Sequence, residues 1–238
     1  MTGAGPGSPS SAPARRIILL VGAVGAGKGT QAALLAQRLG LAHLASGELF
    51  RRAAREGTEL GRQAQAYMDR GELVPDEVTI AMVRHELGKS GAARGAILDG
   101  FPRTVAQAQA LDATLAAQGE RIGRLIVIDV PVDELVERVS GRRVCPADGA
   151  TYHVASDPPR VEGICDRDAT PLVQRDDDRP EVVRARLATQ VPPMLEVIAH
   201  YEPAGIVARI DGRGEIDAVS DRILDALDGE ALVREGGR

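Results

Sequence analysis

The chain has 238 residues, a formal net charge of -5, and 44% hydrophobic and 26% charged residues. These values are typical of one large α/β domain with an adequate core, and the negative charge argues against bulk electrostatic binding to nucleic acid. No apolar run approaches the roughly 18 residues that a membrane span needs. The presence of 2 cysteines without an export signal leads us to expect a reducing cytoplasm rather than a disulfide scaffold. Residues 1–14, rich in Gly, Pro, Ser and Ala, predict a flexible tail.

The first predicted element is an apolar strand at residues 17–21, which leads into a glycine-rich loop and a helix at 30–39. The loop has the spacing Gly22-x4-Gly27-Lys28, which fits the Walker A pattern. Glycines let the backbone turn its N–H groups into one concavity, and the helix adds the positive end of its dipole. This stretch therefore predicts a phosphate-binding loop.

Lysine is rare in this chain, so a lysine in the glycine-rich loop is informative. Of the 29 Lys and Arg residues, only Lys28 and Lys89 are lysine. A compact ammonium fits a phosphate cradle, whereas the broad planar guanidinium does not. Gly29 stands where Ser or Thr is usual, and Thr30 follows one place later. We favour phosphate binding over a loop that merely turns.

Strands and helices alternate along most of the remaining chain. Short apolar runs predict strands at 41–45, 96–98, 125–130 and 206–210. Helical patterns predict helices at 60–70, 75–88, 104–117, 132–140, 180–200 and 216–227. Such alternation implies a parallel sheet covered on both faces, with ligands beyond the carboxyl ends of the strands.

Local signals refine two of these helices. Thr104 and Gln107 have the spacing of a capping box at the start of one helix. Pro180 suits the first turn of another helix, which Pro192 and Pro193 are expected to kink.

Residues 142–178 break the alternation and predict a small inserted β lobe. Asp148-Gly149 lies between two strand-like pieces, which is a hairpin signal. The lobe also contains both cysteines, in Cys145-x-x-Asp148 and Cys165-x-x-Asp168. Two knuckles of two ligands each are the layout of a structural zinc site. A metal-free network of hydrogen bonds between cysteine and aspartate, and a disulfide between the cysteines, are the alternatives.

Charged residues follow the third strand and flank the lobe. Asp99 comes at a strand's carboxyl end, where a carboxylate commonly reaches magnesium through water, and Arg103 would project into the same crevice. Arginines from separated segments suit a polyphosphate, because each guanidinium can bind two oxygens. The candidates are Arg142, Arg143, Arg175, Arg184 and Arg186.

The motifs together resemble the adenylate kinase family in its long-lid bacterial form, over about residues 15–227. The matching stretches begin at Gly25, Ser46, Gly71, Leu98, Gly141, Tyr152, Pro158 and Arg175. The resemblance implies an α/β P-loop fold of three layers with a parallel five-stranded sheet. It divides the chain into a core at 15–229, an inserted AMP-binding lobe at 45–74, an ATP lid at 141–178, and tails at 1–14 and 230–238.

The resemblance also implies an activity. An adenylate kinase converts ATP and AMP into two ADP with Mg²⁺ and so maintains the adenine nucleotide balance. We accordingly expect a cytoplasmic monomer with ATP and AMP or ADP as partners, and with neither nucleic acid nor membrane. The alternatives are a GTP:AMP kinase or another nucleoside monophosphate kinase, and a non-catalytic nucleotide-binding protein on the same scaffold.

The resemblance assigns roles to the residues of this sequence that match the family's motifs. The ATP side would comprise Gly25, Ala26, Gly27, Lys28, Gly29, Thr30, Arg142, Thr151, Tyr152 and Gly214. The AMP side would comprise Ser46, Arg51, Glu72, Leu73, Val74, Gly100, Phe101, Pro102, Arg103, Gln107, Arg175 and Arg186. The catalytic set would comprise Lys28, Asp99, Arg103, Arg142, Arg175, Asp177, Asp178 and Arg186.

The chain departs from the family pattern in the loop, the AMP side and the lid. Val24 replaces a usual Pro, Ser46 a frequent Thr, and Glu48 a frequent Asp. Ser46 also resembles the GTP:AMP relatives, which leaves the donor base open. The four positions that correspond to the lid's metal ligands in the family are Cys145, Asp148, Cys165 and Asp168. Metal-binding relatives have four Cys, or three Cys and one Asp, at these positions, and other relatives have four hydrogen-bonded polar residues. This chain is intermediate between the two groups.

Overall fold

The computed structural model describes residues 15–70 and 72–235, and a five-stranded parallel sheet lies at its centre. Its strands are β1 (Arg16–Val21), β2 (Ala42–Ala45), β3 (Gly95–Asp99), β4 (Ile122–Asp129) and β7 (Val207–Asp211). The strand order is β2-β3-β1-β4-β7, and every neighbouring pair is parallel. All five predicted strands are therefore present, with ends that differ by a few residues.

Helices connect the strands. They are α1 (Lys28–Leu39), α2 (Ser46–Arg55), α3 (Glu59–Asp69), α4 (Asp76–Leu87), α5 (Val105–Ala116), α6 (Val132–Ser140), α7 (Pro180–Tyr201) and α8 (Ile216–Glu235). Among the helices of the described residues, none is long and apolar enough to cross a membrane.

Burial on both faces of the sheet explains the continuous apolar run of β1. Ile17 and Leu19 belong to one buried cluster, which α4, α5 and the end of α7 complete. Ile18 and Leu20 belong to a second cluster, with residues of α1, α6 and α8. Successive side chains of a strand point to opposite faces, so a strand covered on both sides is apolar throughout. The predicted three-layer α/β fold is confirmed.

Two small units extend from this core. The first is made by α2 and α3, where Phe50, Ala64 and Val74 form a separate apolar cluster. The strand and helix patterns did not predict α2, which has only ten residues, four of them charged. Of its buried side chains, Phe50 packs with Ala64 of α3, whereas Leu49 packs in the main core.

The second unit is the predicted β lobe. Its strands β5 (Arg142–Val144) and β6 (Thr151–His153) pair in an antiparallel two-stranded sheet. The hairpin predicted at Asp148-Gly149 connects them. Cys145, Ala150 and Cys165 form the buried centre of the lobe.

Helix α7, predicted at 180–200, runs from Pro180 to Tyr201 and contains Pro192 and Pro193 in its interior. The end of α8 differs from the expectation. Helix α8 continues to Glu235, past the predicted end at 227, and so includes part of the predicted C-terminal tail. The predicted tail at 1–14, Gly71 and residues 236–238 lie outside the described residues.

The capping box at α5 forms only in half. Thr104 Oγ1 accepts a hydrogen bond from the Gln107 amide nitrogen at 3.2 Å, as predicted. The Gln107 side chain does not return to the backbone of Thr104, because its Oε1 accepts a hydrogen bond from Arg103 N at 2.8 Å. Arg103 precedes the cap and belongs to the segment after β3, so Gln107 ties this segment to α5.

Leu98→Ala tests the two-sided core. Leu98 is fully buried in the middle of β3, so we expect this truncation to lower the free energy of unfolding by about 2–5 kcal/mol. Leu195→Ala is the matched control, because Leu195 is 50% exposed on α7 and should change the free energy of unfolding by no more than about 0.5 kcal/mol. Urea unfolding monitored by circular dichroism measures both. Equal effects of the two substitutions would contradict the described packing.

Candidate active site

The glycine-rich loop between β1 and α1 forms an open anion cradle. Gly25 and Gly27 have φ angles of 86° and 87°, which favour glycine. A Cβ at Gly25 would lie 2.7 Å from Val139 Cγ2 and 2.9 Å from Leu135 O, so the loop packs directly on α6. Within the described residues no side chain caps the N-terminus of α1. Its first N–H groups therefore remain available to an anion.

Lys28 lies at the centre of the cradle. Its Nζ donates a hydrogen bond to Ala23 O at 2.9 Å. Burial lowers the pKa of Lys28 to about 8, because the surrounding protein replaces the water that would solvate the ammonium. Asp99 opposes this shift, whereas the positive charges of Arg103 and Arg186 reinforce it. A nearby phosphate would favour the charged form of Lys28.

Asp99 ends β3, the neighbour of β1, and faces the first turn of α1. A Cβ built on Gly29 would lie 3.4 Å from Asp99 Oδ2. On its other side, His43 Nε2 lies 3.5 Å from the same oxygen. Burial by itself would raise the pKa of Asp99, but His43, Lys28 and Arg103 outweigh it, and the pKa lies below its ordinary value. Asp99 is therefore a carboxylate at neutral pH.

The carbonyl group of Gly100 joins the α2–α3 unit to the sheet edge. It accepts hydrogen bonds from Ser46 Oγ at 2.8 Å and from Arg103 Nε at 2.7 Å. Ser46 is buried at the start of α2, and Phe101 is buried in the core beside it. The geometry fixes the Arg103 guanidinium beside the cradle, as the sequence predicted.

Two aspartates at the end of the β lobe, Asp177 and Asp178, accept hydrogen bonds from three arginines. Arg142 makes a bidentate pair with the fully buried Asp178, with Nε donating to Oδ2 at 2.8 Å. Arg175 and Arg186 both donate to Asp177 Oδ2, at 2.6 and 2.8 Å. Arg186 Nε is buried without a partner among the described residues, so one donor of this cluster is unsatisfied.

Arg51 approaches the same cluster from α2. It donates to Glu48 Oε2 at 3.3 Å, and Arg55 donates to Glu48 Oε1 at 2.9 Å. Burial lowers the pKa of Arg51, and the positive charge of Arg175 lowers it further. This coupling indicates that cations of α2 and of the lobe face each other across one space.

A cavity of about 90 Å³ lies at the centre of this arrangement. Lys28, Arg103 and Arg186 line it together with Leu73 and Pro102. The cations around this space are Lys28, Arg51, Arg103, Arg142, Arg175 and Arg186, and the paired carboxylates are Glu48, Asp99, Asp177 and Asp178. The cationic side chains outnumber the carboxylates, so the site is built for an anion.

Other predicted site residues have their contacts elsewhere in this structure. The Tyr152 hydroxyl accepts a hydrogen bond from Asp166 N at 2.8 Å and contacts Cys165 Sγ at 3.5 Å, inside the lobe. Thr151 is exposed. Glu72 is exposed and pairs with Arg70, and Val74 packs in the α2–α3 cluster. Gly214, with a φ of 94°, lies in the loop before α8.

The four predicted metal ligands do come together. The ligand atoms of Cys145, Asp148, Cys165 and Asp168 all lie within 4.8 Å of one another. Cys145 Sγ lies 3.5 and 3.6 Å from the two carboxylate oxygens of Asp168. Both cysteines are free, so the alternative of a disulfide is not formed. The metal site and the metal-free hydrogen-bond network both fit this arrangement.

Sequence reasoning missed three residues of this region. Arg138 Nη1 donates to Gly212 O at 3.0 Å, which connects α6 to the loop that holds Gly214; its position one turn before Gly141 was the available signal. His43 was a single polar residue inside an apolar strand. Asp76, which binds the Gln107 side chain, resembled an ordinary acidic residue in the first turn of a helix.

The pKa of Lys28 generates a direct prediction. Since that pKa is about 8 rather than 10.5, the ammonium predominates below pH 8 in the ligand-free protein, and phosphate affinity should fall as the pH rises through 8. Carbon-13 NMR of lysine-labelled protein measures the titration, and Lys89→Arg leaves Lys28 as the sole lysine. A midpoint near 10.5 would contradict the described burial.

Comparison with known proteins assigns the chain to a family. The family model described as adenylate kinase matches residues 20–206. Adenylate kinases of Staphylococcus aureus and Staphylococcus epidermidis are each 44% identical to this chain over 211 residues, which are 89% of this chain and 98% of each relative. The matched region contains the cradle, Asp99 and every arginine of the cleft. The chain belongs to the adenylate kinase family.

Proposed function

We propose that this protein transfers the terminal phosphoryl group of ATP to AMP and so forms two molecules of ADP. The observation that supports this most strongly is the convergence of cations from separate elements on one cavity between the cradle and residues 100–103. A cleft with excess positive charge and cations on two sides fits two nucleotides placed with their phosphates end to end.

ATP would bind on the cradle side. The N–H groups of residues 25–30 would hold its phosphates, and the Lys28 ammonium would contact the outer ones. Thr151 and Tyr152 would contact the rest of ATP after the lid moves toward the cradle, since the Tyr152 hydroxyl now lies inside the lobe. Gly214 would contribute its backbone from the loop before α8. Arg138 would flank the same loop as Gly214.

AMP would bind between α2 and the segment after β3. Arg51 and Arg103 are the cations nearest that side, and the two-oxygen geometry of a guanidinium suits the AMP phosphate. Ser46, the residues 72–74 and Gln107 would surround the nucleoside. Arg175 and Arg186, which share Asp177, would lie between the two substrates.

Catalysis would need no nucleophilic side chain, because a phosphate oxygen of AMP attacks the terminal phosphorus of ATP. The work of the protein is then to align the two phosphates and to stabilise the charge that develops between them. Arg142 and Arg186 are held by Asp178 and Asp177, so they would meet that charge without having to be ordered during the reaction. The unsatisfied Arg186 Nε is a donor that the transferred group could use.

Magnesium would accompany ATP, as the family implies. Asp99 fits this role, because it is a buried carboxylate with a lowered pKa beside the first turn of α1. Bound Mg²⁺ would neutralise charge on the ATP phosphates. Asp99 would orient water molecules of the ion, and His43 would restrain Asp99 from the other side.

The lid at 141–178 and the lobe at 45–74 would close over the nucleotides. Closure would exclude water, which could otherwise accept the phosphoryl group. Arg142 and Arg175 belong to the lid, and Arg51 belongs to the lobe, so closure would also bring these cations to the phosphates.

The lid would carry a structural zinc ion. Two buried thiols and two carboxylates within 4.8 Å of one another have the ligand number and spacing that tetrahedral zinc requires. The ion would hold the two turns that contain Cys145 and Cys165 and would take no part in the chemistry. We also expect the enzyme to act as a monomer in the cytoplasm.

Two variants test the proposed activity. We expect Lys28→Ala and Arg175→Ala to lower kcat by on the order of 10³-fold, because each removes a cation that neutralises phosphate charge. Arg175→Ala is preferred to a change at Arg142, since Asp177 retains Arg186 whereas the buried Asp178 would lose its partner. A coupled assay for ADP measures turnover with ATP or GTP as donor.

The control is Arg38→Ala, an exposed arginine that pairs with acidic residues of α8. It should retain the parent's kcat, and all three variants should retain the parent's circular dichroism spectrum. Near-normal turnover of Lys28→Ala would contradict the proposal, as would parent protein that forms ADP from ATP equally well without AMP.

Elemental analysis tests the zinc proposal. Protein purified without metal and then supplied with zinc should retain about one equivalent after dialysis, and its thermal unfolding midpoint should rise. The double change Cys145→Ser and Cys165→Ser should abolish both effects, whereas Asp166→Asn, in the same lobe but outside the cluster, should preserve them. Absence of bound metal in the parent after repletion would leave the hydrogen-bond network as the account of this cluster.

A further inference from the structure

We propose that Asp76 is a positioning residue that fixes the orientation of the Gln107 amide and thereby restricts the phosphoryl acceptor to nucleotides with an amino group on the base. This inference rests on the proposed function, in which Gln107 contacts the base of AMP. Asp76 would influence acceptor specificity through the hydrogen bonds that connect it to Gln107 and Thr104.

The two ends of the Gln107 amide are identified by their partners. Nε2 donates to Asp76 Oδ1 at 2.7 Å, and Oε1 accepts from Arg103 N at 2.8 Å. A backbone N–H can only donate, and an ionised carboxylate can only accept. Each partner therefore requires the same assignment of the amide, although oxygen and nitrogen of such a group are otherwise easily interchanged.

Asp76 is itself restrained. Its Oδ2 accepts a hydrogen bond from Thr104 Oγ1 at 2.8 Å, and the same hydroxyl oxygen accepts from Gln107 N at 3.2 Å. The first residue of α4 is thus tied to the first turn of α5. Rotating the amide by half a turn would place its oxygen against the carboxylate and its NH2 group against the Arg103 N–H. Gln107 is only 1% exposed, so such unpaired contacts would be costly.

The amide retains one hydrogen on Nε2 and one lone pair on Oε1 that neither Asp76 nor Arg103 uses. Among the described residues, Gln107 makes no other side-chain hydrogen bond than the two given above. Adenine presents a ring-nitrogen acceptor next to its amino donor, which matches this pair on either of its hydrogen-bonding edges. A base with oxygen in place of that amino group would put two acceptors together. A buried site that requires a hydrogen-bond donor on the base discriminates strongly against bases that lack it.

Comparison of AMP with IMP as acceptor tests this directly, because hypoxanthine has oxygen in place of the amino group and is otherwise similar in size and shape to adenine. The parent should show a much higher kcat/KM for AMP. Asp76→Leu removes the acceptor that orients Nε2, so the ratio of kcat/KM for AMP over IMP should fall by at least about tenfold. The change should appear in the KM of the acceptor, while the KM of ATP stays at the parent's value.

Asp76→Asn preserves the size and shape of the side chain. If Asp76→Leu does not fold, this variant provides the test of the role of Asp76. Its amide can present either oxygen or NH2 to Gln107, so one of the two restraints is lost and the ratio should fall by a smaller factor. Asp112→Asn is the control, since Asp112 lies on α5 but binds Tyr201 and His200. It should retain the parent's ratio.

The outcomes separate this inference from the proposed function. A parent that transfers no phosphoryl group to AMP would overturn both. A parent that is active with AMP, with folded Asp76 variants that keep its ratio of AMP to IMP, would overturn only the role of Asp76. Equal loss of kcat/KM for both acceptors would do the same, because it would indicate a purely structural role.

Discussion

Repulsion among buried cations is the constraint on which the rest of the structure depends. Lys28, Arg103 and Arg186 line one small cavity. Burial and mutual repulsion lower the pKa of all three, to about 8 for Lys28. Asp99 and Asp177 hold this cluster together by opposing that repulsion. An anionic ligand would supply the negative charge that is still lacking in this cluster.

The fold brings these charges together by placing strand ends at one edge. Strands β1 and β3 are neighbours, so the cradle after β1 and Asp99 at the end of β3 lie side by side. Helix α7 carries Arg186 back to this edge, and the β lobe and α2 contribute cations from opposite sides. Each lobe has its own small apolar cluster, and Leu49 also packs α2 against the main core.

The sequence predicted the core of this arrangement because its signals are local. A strand buried on both faces is a continuous apolar run, and a phosphate cradle needs glycines at fixed spacing, as at Gly25 and Gly27. The hairpin of the lobe and the four clustered side chains within it followed from short motifs in the same way. Arg103 and the arginines around the lobe were candidates from the sequence itself, and the resemblance added Arg51.

Contacts between distant segments could not be predicted in this way. The packing of Phe50 in α2 with Ala64 in α3 is such a contact. The Tyr152 hydroxyl lies inside the lobe, where it contacts Cys165 Sγ and accepts a hydrogen bond from Asp166 N. The orientation of the Gln107 amide depends on Asp76, in a different helix, and on the backbone of Arg103. Such pairings arise from the tertiary fold.

Simultaneous binding of two nucleotides is the most direct test of the central claim that this cleft balances its excess positive charge with the phosphates of ATP and of AMP. Isothermal titration calorimetry with a non-hydrolysable ATP analogue, in the absence and presence of saturating AMP, measures it. The account predicts one analogue per chain in both titrations, with AMP bound at the same time. Competition, in which saturating AMP prevents binding of the analogue, would contradict the account.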